Sequence, residues 1–425
     1  MPWSELRQLS FRTRAFLIAL LVLFNLFALV RALPVNTSLR ENRESNRGTY
    51  NRNVERIFRV AQAQSARPFF EVKNHALYFD RNPGLFMFVA ELFVRAGAES
   101  PFPNQLLTIL LWNIGLLLLF LWLLHVFESE LAAAAGTAFM TATPFVLFYS
   151  SSIHHEPWCF IFFNLTFYCF AKYLKLGKPR RWLVATCIAY FLLCQNYWFY
   201  YVSAGILFVA LQLRVRAFSW RDTLILAAVP VIATLTTFLQ VMYALDGADR
   251  ALFRLKDIAA ARTIDARIEG SEWYPDRKFV KEWHWKRYPI TVTERIELLS
   301  GTSVAVWCAW IFASFVLAGR EAWRRWSWML IVIFAGLSWN LFMIQHTVIH
   351  HFAGMYGWFA WAMIVAMLVC EVRRAIDPAR LTIAVAAVAI PLAYFALQRE
   401  YVPYLSMYVT NARAGTVVHE VPPKE

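Results

Sequence analysis

Histidine, glutamate and amide side chains gather at one set of junctions between the long apolar segments of this chain. They are His154, His155, Glu156, Gln195, Asn196, Gln345, His346, His350 and His351. Imidazole and carboxylate groups in such places can move protons, bind a metal ion or hold a phosphate. Ionisable groups near membrane depth are costly and usually line a cavity or pathway, so this gathering predicts a site on one face. The alternative is that each residue lies in a solvated interfacial loop.

The elements that must position these residues are apolar runs mostly of about 17–22 residues, long enough to cross a bilayer core. We predict about eleven spans. They lie near 14–33, 103–125, 131–150, 157–174, 182–194, 197–213, 222–244, 302–319, 327–345, 352–370 and 381–397. The apolar stretch 182–213 is too long for one span, and we divide it at Gln195-Asn196 into two short or re-entrant helices. The expected fold class is an all-α polytopic membrane protein, a single membrane domain over 1–425.

Basic residues fill alternate loops between the predicted spans. Arg7, Arg12 and Arg14 precede or open the first span, so the positive-inside rule places the N-terminus in the cytoplasm. Later loops agree, because they contain Lys175, Lys178, Arg180, Arg181, Arg214, Arg216, Arg221, Arg320, Arg324, Arg325, Arg373, Arg374 and Arg380. The short loops near 151–156, 195–196 and 346–351 have no Lys or Arg. We expect those loops outside, in a multi-pass protein of the plasma (inner) membrane.

Composition excludes several other classes of protein. Hydrophobic residues are 59% of the chain, which is far too many for a soluble domain. The net charge of +14 comes largely from loops that would lie beside anionic membrane lipids, so we expect no nucleic-acid partner. The six cysteines have no paired, metal-type spacing, which favours neither a disulfide framework nor a zinc knuckle. The first apolar segment lacks a clear cleavage site and is expected to be a retained signal anchor.

Two long segments, 34–101 and 245–301, interrupt the membrane pattern, and the topology places both on the extracytoplasmic side with a short tail, 402–425. In the first, Asn82-Pro83-Gly84 predicts a turn into an amphipathic helix. The second is rich in aromatic and basic residues. Its cations include Arg277, Lys278, Lys281, Lys286 and Arg287. Such a mixture suits the bilayer interface, where rings are buried and cations meet phosphates, although simple anchoring explains it equally well.

The first outer segment contains NVERIFRVAQAQ and, further on, FDRNPGLFMF. With one span before them, these stretches resemble the first outer loop of the GT-C glycosyltransferases. The nearest group is the dolichyl-phosphate-mannose protein mannosyltransferases and lipid A aminoarabinose transferases. Glu55 matches the acidic position of that family, but Val54 stands where a second acid is usual. Arg81-Asn82-Pro83 replaces most of a His-Pro-Pro turn.

Later stretches resemble the same family. In TATPFVLFYSSSIHHEPW a helix ends outside and an acid follows, which places Glu156 at the family's second acid. The chain departs from the pattern at CQNYWFYY, where the family usually has a Gly and a Lys. The stretch QHTVIHHFAGMYGWFAWAM resembles a polar, aromatic outer turn between late spans. The resemblance covers most of the chain in topology.

The resemblance implies transfer of a sugar from a polyprenyl-phosphate donor to a lipid, glycan or protein acceptor on the extracytoplasmic side, with inversion. Glu55 is then the candidate base, with Asp80 as a rival beside the turn. Glu156, with His155, would bind a divalent cation or orient the acceptor. Contacts to the lipid phosphate would come from the following residues: Arg277, Lys278, Lys281, Lys286, Arg287, His346 and His350.

Structural roles explain the same acids without chemistry. Glu55 lies among Arg52, Arg56 and Arg59 and would form surface ion pairs. Asp80 would cap a turn, and Glu156 would favour the dipole at the start of the next helix.

Two other functions remain open at this stage. A secondary transporter would have polar or broken helices at mid-depth, which we do not find. A His-ligated metal or haem membrane protein would have histidines facing each other across the bundle, and His154, His155, His346, His350 and His351 could supply them.

Overall fold

The computed structural model describes residues 2–32, 58, 61–62, 65, 85–151, 153–198, 200–245, 247–262, 288–343 and 356–375. Over these ranges the chain is helical and contains no strand, which confirms the all-α class. The helices are α1 (Pro2–Gln8), α2 (Phe11–Ala32), α3 (Leu85–Arg95), α4 (Phe102–Phe127), α5 (Glu130–Ala142), α6 (Pro144–Tyr149), α7 (His155–Lys175), α8 (Arg180–Cys194), α9 (Tyr200–Arg214), α10 (Trp220–Ala244), α11 (Ala248–Arg262), α12 (Tyr288–Ser300), α13 (Val304–Ala318), α14 (Ala322–Phe342) and α15 (Trp358–Ala375). A 3-10 turn, Gly319–Glu321, joins α13 to α14.

A helix lies at every predicted span except 381–397, which is outside the described residues. The division of the stretch 182–213 is confirmed, because α8 ends at Cys194 and α9 begins at Tyr200. The single predicted span 131–150 is wrong in detail. It consists of α5 and α6, which meet at Thr143. Pro144 has no amide hydrogen to continue α5, and the Thr143 hydroxyl instead caps α6 by accepting from the amide of Val146 at 3.3 Å.

Several helices are able to cross a membrane, as predicted. Four segments of the described chain are long and apolar enough on length and composition: Phe11–Leu29, Phe102–Phe127, Trp220–Ala244 and Val304–Phe342, the last containing both α13 and α14. The helix Tyr200–Arg214 is apolar but shorter. The larger count of about eleven spans stays a prediction.

The surface of these helices is apolar in a way that suits lipid. Leu23 on α2, Leu224 on α10 and Phe312 on α13 are 67%, 68% and 71% exposed, respectively. Contiguous apolar surface of this kind is rare on soluble monomers.

The core of the bundle is the packing of α4 along α7 and of α5 along α15. Small residues permit the closest approaches, since a Cβ on Gly136 of α5 would lie 2.7 Å from the carbonyl oxygen of Ala362 on α15. Buried aromatic side chains fill the remaining space. Some of their polar groups are hydrogen-bonded, as in the bond of 2.7 Å from Trp122 Nε1 to Asn164 Oδ1.

The two ends of the bundle differ in chemistry. At one, which we call the basic end, Lys175 lies 3.6 Å from Glu128, and Lys178 lies 3.6 Å from Asp222. The same end contains Arg214, Arg325, Arg373 and Arg374. The opposite end, called the histidine end, contains Tyr149, His154, His155, Glu156 and Gln195. The alternation of charge in the sequence is therefore matched by a separation in space.

Candidate functional site

Glu156 lies in the first turn of α7, as the sequence predicted, and its carboxylate stands between two imidazoles. The side chain is almost fully buried, at 2% exposure. Oε2 is hydrogen-bonded to Nδ1 of His154, and Oε1 lies 3.1 Å from Nε2 of His155. His154 begins the helix with extended backbone and makes no side-chain cap, so its ring is available to the carboxylate. A buried carboxylate is costly unless it is paired, and the two imidazoles are the groups that lie against it.

Aromatic side chains hold the two imidazoles in place. The ring of His155 stacks on that of Tyr197, with centroids 3.9 Å apart and an interplanar angle of 3°. The rings of His154 and His155 have centroids 4.1 Å apart, and Tyr149 lies 5.9 Å from His154. Phe86 of α3 covers both histidines at about 6 Å, with centroid distances of 6.2 and 6.1 Å. The site is thus enclosed by α3, α6 and the turn after α8.

Hydrogen bonds fix these enclosing elements to the long helices. Trp112 Nε1 of α4 donates to the carbonyl of Tyr149 at 2.8 Å, and Gln105 Nε2 donates to that of Ser151 at 3.3 Å. The amide of Leu85 at the start of α3 donates to the carbonyl of Gln195 at 3.4 Å. The turn that carries Tyr197 and the helix that carries Phe86 are therefore joined to each other beside the histidines.

Helix α3 is itself the amphipathic helix predicted to follow Asn82-Pro83-Gly84. Its buried face consists of Phe86, Met87, Ala90 and Glu91. The carboxylate of Glu91 is held by Arg95 at 2.7 Å, one turn later. The three turn residues themselves lie outside the described part of the chain.

Buried polar atoms at the histidine end have unfilled hydrogen-bonding capacity. Among the described residues, Asn104 Nδ2, Asn196 Oδ1 and Glu156 Oε1 are buried without a hydrogen-bond partner. Asn104 precedes the Gln105 that binds Ser151, and Asn196 precedes the Tyr197 that stacks on His155. Buried polar groups are normally satisfied, so this arrangement suits a polar ligand or ordered water.

The same residues can provide a metal site. One ligand atom from each of His154, His155 and Glu156 can be chosen so that all three lie within 4.8 Å of one another. The predicted pair of Glu156 and His155 is therefore together in space, and His154 joins it. Two imidazole nitrogens and one carboxylate oxygen are the donor set of zinc and related transition metals rather than of magnesium, which prefers oxygen.

The other predicted site residues fall outside the described ranges. They are Glu55, Asp80, Arg277, Lys278, Lys281, Lys286, Arg287, His346 and His350. Their roles stay predictions.

Sequence reasoning assigned no role to several residues that build the site. His154 was named as a possible ligand in a metal or haem protein but not in the transferase site, and Tyr149, Tyr197 and Phe86 were not singled out. The run His-His-Glu was a usable signal for His154, since neighbouring ligands at a helix start commonly act together. The aromatic residues gave no local signal, because their rings meet the histidines only through tertiary packing.

Comparison with protein-family models gives no match for the chain, and comparison with curated proteins gives none either. The case for a function therefore depends on the site and on the resemblance described above.

Proposed function

We propose that this protein is a membrane glycosyltransferase that moves a sugar from a polyprenyl-phosphate donor to a lipid, glycan or protein acceptor on the extracytoplasmic side. The observation that carries the proposal is the burial of Glu156 between His154 and His155 at the end of the bundle opposite the basic end. A lipid-linked donor needs a site beside the hydrocarbon, and an acceptor needs access from water. A polar site at one end of an apolar bundle suits both.

In the proposed reaction an acceptor oxygen attacks the anomeric carbon while the bond from that carbon to the phosphate oxygen breaks. The bonding electrons leave with polyprenyl phosphate, and the proton of the acceptor passes to a protein base. Glu55 is the proposed base, with Asp80 as the rival. Glu156 and His155 orient the acceptor through the carboxylate and imidazole, whose positions are fixed by Tyr197. In-line displacement of this kind inverts the sugar.

The alternative role of Glu156 and His155 is to bind a divalent cation instead of orienting the acceptor directly. Glu156, His155 and His154 would then hold the cation, which would offset charge on the departing phosphate. The donor set favours zinc or a related transition metal over magnesium.

The proposed topology has about eleven spans with a cytoplasmic N-terminus in the plasma membrane. The histidine end is then extracytoplasmic. The location of Lys175, Lys178, Arg214 and Arg373 together at the other end supports this orientation.

The test is transfer of labelled sugar from a panel of polyprenyl-phosphate donors by purified protein in lipid. Wild type is compared with Glu156→Gln, Glu55→Gln and the control Glu99→Gln, whose exposed carboxylate lies in the turn between α3 and α4. We expect wild type and the control to consume donor, and both other variants to lose turnover while remaining folded. Full activity of Glu156→Gln would remove that residue from the site, and failure of every donor to react would reject the glycosyltransferase.

A metal-binding membrane protein without transferase activity is the second candidate, favoured by the cluster of His154, His155 and Glu156. Metal content after purification, and equilibrium dialysis against zinc, separate the two candidates. Stoichiometric metal that is lost in His154→Gln, together with inactivity toward all donors, would favour this second function.

A further inference from the structure

At the basic end, two arginines from different helices hold one buried carboxylate, and a third arginine from another helix lies over a neighbouring tryptophan. Glu371 of α15 is only 1% exposed. Arg325 Nη1 of α14 lies 3.3 Å from its Oε2, Arg374 binds its Oε1, and Trp326 Nε1 donates to Oε1 at 3.1 Å. Glu371 therefore accepts from three donors, two of which are cationic.

Arg214, at the end of α9, is the third arginine of this group. Its guanidinium carbon lies 5.9 Å from the ring centroid of Trp328, and Trp328 Nε1 donates to the carbonyl of Arg325 at 2.7 Å. That shared tryptophan places Arg214 beside the Glu371 group. We call Arg214, Arg325 and Arg374 the arginine cluster.

The charge of the arginine cluster is not balanced by the acids around it. Three guanidinium groups stand against the one buried carboxylate of Glu371. A further acid, Glu128, acts on Arg214 through its charge, but it is 68% exposed and lies 3.6 Å from Lys175. Across the described residues, no carboxylate forms an ion pair with Arg214, and its Nε is buried without a hydrogen-bond partner. A partly buried guanidinium whose Nε has no hydrogen-bond partner and which has no ion pair is unfavourable, and an anion would supply what the Trp328 ring alone does not.

The pKa of Arg214 is consistent with a missing anion. Burial has the largest effect and lowers it below its ordinary value. The charge of Glu128 opposes this, and the weaker effects of Arg374 and Arg216 lower it again. An anion placed among these groups would relieve both the burial cost and the repulsion.

Apolar side chains border the arginine cluster. Leu213 and Val215, on either side of Arg214, are each 44% exposed, and Trp323, two residues before Arg325, is 68% exposed. Trp220 at the start of α10 is 73% exposed. Exposed tryptophan and aliphatic side chains beside cations are the surroundings of a lipid headgroup, with acyl chains along the helices and phosphate at the arginines.

We propose that Arg214, Arg325 and Arg374 form a binding site for the phosphate group of an anionic membrane lipid. Guanidinium groups bind phosphate oxygens with two parallel hydrogen bonds, and the fixed positions of Arg325 and Arg374 on Glu371 prepare them for this. The site lies at the opposite end of the bundle from Glu156. Its test is therefore independent of the proposed transferase activity.

The test is native mass spectrometry of delipidated protein, titrated with phosphatidylglycerol or with phosphatidylcholine of the same acyl chains. We expect phosphatidylglycerol to bind about tenfold more tightly, and Arg214→Gln to remove about that factor. The matched control is Arg180→Gln, which removes an exposed cation from the same end and should leave binding within about twofold of wild type. Equal affinity for the two lipids, or an equal loss in both variants, would overturn the proposal.

Two further experiments distinguish a lipid phosphate from a soluble phosphate and test the site in the wild-type protein, without a variant that could misfold. Inorganic phosphate and glycerol phosphate are added as competitors; competition by either at the concentration that suffices for phosphatidylglycerol would assign the site to a soluble phosphate instead of a lipid. A photoreactive phosphatidylglycerol is cross-linked to wild-type protein and the adducts are mapped. Adducts at the end of α9, the start of α14 or the end of α15 support the site, and adducts confined to other parts of the chain reject it whatever the variants do.

Discussion

Stacking of Tyr197 on His155 is the contact that fixes an imidazole of the proposed site. We predict that Tyr197→Leu lowers sugar transfer about tenfold, because the ring of His155 loses its support and its orientation toward Glu156. The melting temperature should also fall, since an aromatic pair contributes about 0.5–1.5 kcal/mol beyond its buried area. Tyr197→Phe keeps the stacked ring and is the control, with transfer expected within about twofold of wild type. Equal activity in all three proteins would mean that the stack does not position His155.

At the residue scale, the sequence named two residues that the structure brings together in the candidate site. Glu156 was predicted from the resemblance to the second acid of the GT-C family, and His155 was added as its neighbour on the face without Lys or Arg. Their aromatic surroundings could not be predicted, because Phe86 and Tyr197 are distant in the chain and reach the histidines only after α3 and the turn following α8 are joined. The burial of amide side chains such as that of Asn104 could not be predicted either, since a polar side chain alone suggests an exposed position.

At the scale of helices, α5 and α15 approach each other closely at Gly136. We therefore predict that alanine substitution has opposite effects on stability at Gly136 and at Gly205. A Cβ at Gly136 would lie 2.7 Å from the carbonyl oxygen of Ala362 and 3.0 Å from Leu123 Cδ1, so Gly136→Ala forces the helices apart. We expect a loss of about 1–3 kcal/mol. Gly205 of α9 has nothing within 4 Å of the same position. Gly205→Ala should be neutral or stabilising by up to about 1 kcal/mol, because alanine costs less backbone entropy in a helix.

Thermal unfolding of the two variants in the same detergent measures both effects. A lower melting temperature for Gly205→Ala than for Gly136→Ala would contradict the packing of α5 against α15.

Attachment of α1 to the bundle predicts a dependence of stability on pH. Glu5 Oε1 accepts from Lys172 Nζ at 2.5 Å and from the Tyr168 hydroxyl at 3.0 Å, and Oε2 lies 2.8 Å from His125 Nε2. Burial alone would raise the pKa of Glu5, but the hydrogen bonds and charges of His125 and Lys172 outweigh it and lower the pKa from 4.5 to about 2. The folded protein therefore favours the charged form.

A depressed pKa in the folded state stabilises the protein above the unfolded value of 4.5, and this stabilisation is lost as the pH falls toward about 2. Glu5→Gln should therefore lower the free energy of unfolding by about 1–3 kcal/mol at pH 7 and by progressively less below about pH 4.5. The control is Glu128→Gln, since an exposed ion pair contributes little. Melting curves from pH 7 to pH 3 test this pH dependence. A difference in melting temperature between wild type and Glu5→Gln that does not change with pH would show that the charge of Glu5 does not hold α1.

Most helix positions followed from the sequence because apolar runs end where charged or turn-forming residues begin. The break at Gln195-Asn196 was predicted from charge, since one helix would have placed basic residues on both sides. The break at Thr143 was not predicted, because the apolar run continues through Pro144. The hydropathy of a segment contains no information on the amide hydrogen that proline lacks. Pro230 lies inside α10 and does not end that helix, so the presence of a proline alone does not predict a helix break.

For the whole molecule, the alternation of basic loops predicted that two chemically different ends would exist, and the structure separates them as expected. Which end faces the cytoplasm is a prediction that labelling can check. Cysteine at Glu99 lies in the turn between α3 and α4 at the histidine end, and cysteine at Arg180 begins α8 at the basic end. Both positions are exposed. In intact cells, a membrane-impermeant maleimide should label Glu99→Cys and not Arg180→Cys, because the positive-inside rule places the arginines in the cytoplasm.

Wild-type protein supplies the background of that labelling experiment, since its six cysteines are free, four of them are buried and one, Cys308, is exposed on a helix of the apolar surface. Lysed cells provide the second control, in which both introduced cysteines should react. Labelling of Arg180→Cys in intact cells, with Glu99→Cys protected, would show that the orientation in the membrane is the reverse of the predicted one. It would place Glu156 on the cytoplasmic side, where water-soluble nucleotide sugars rather than extracytoplasmic acceptors would meet it, and the donor proposed for the site would have to change. Labelling is therefore decisive for the chemistry as well as for the topology.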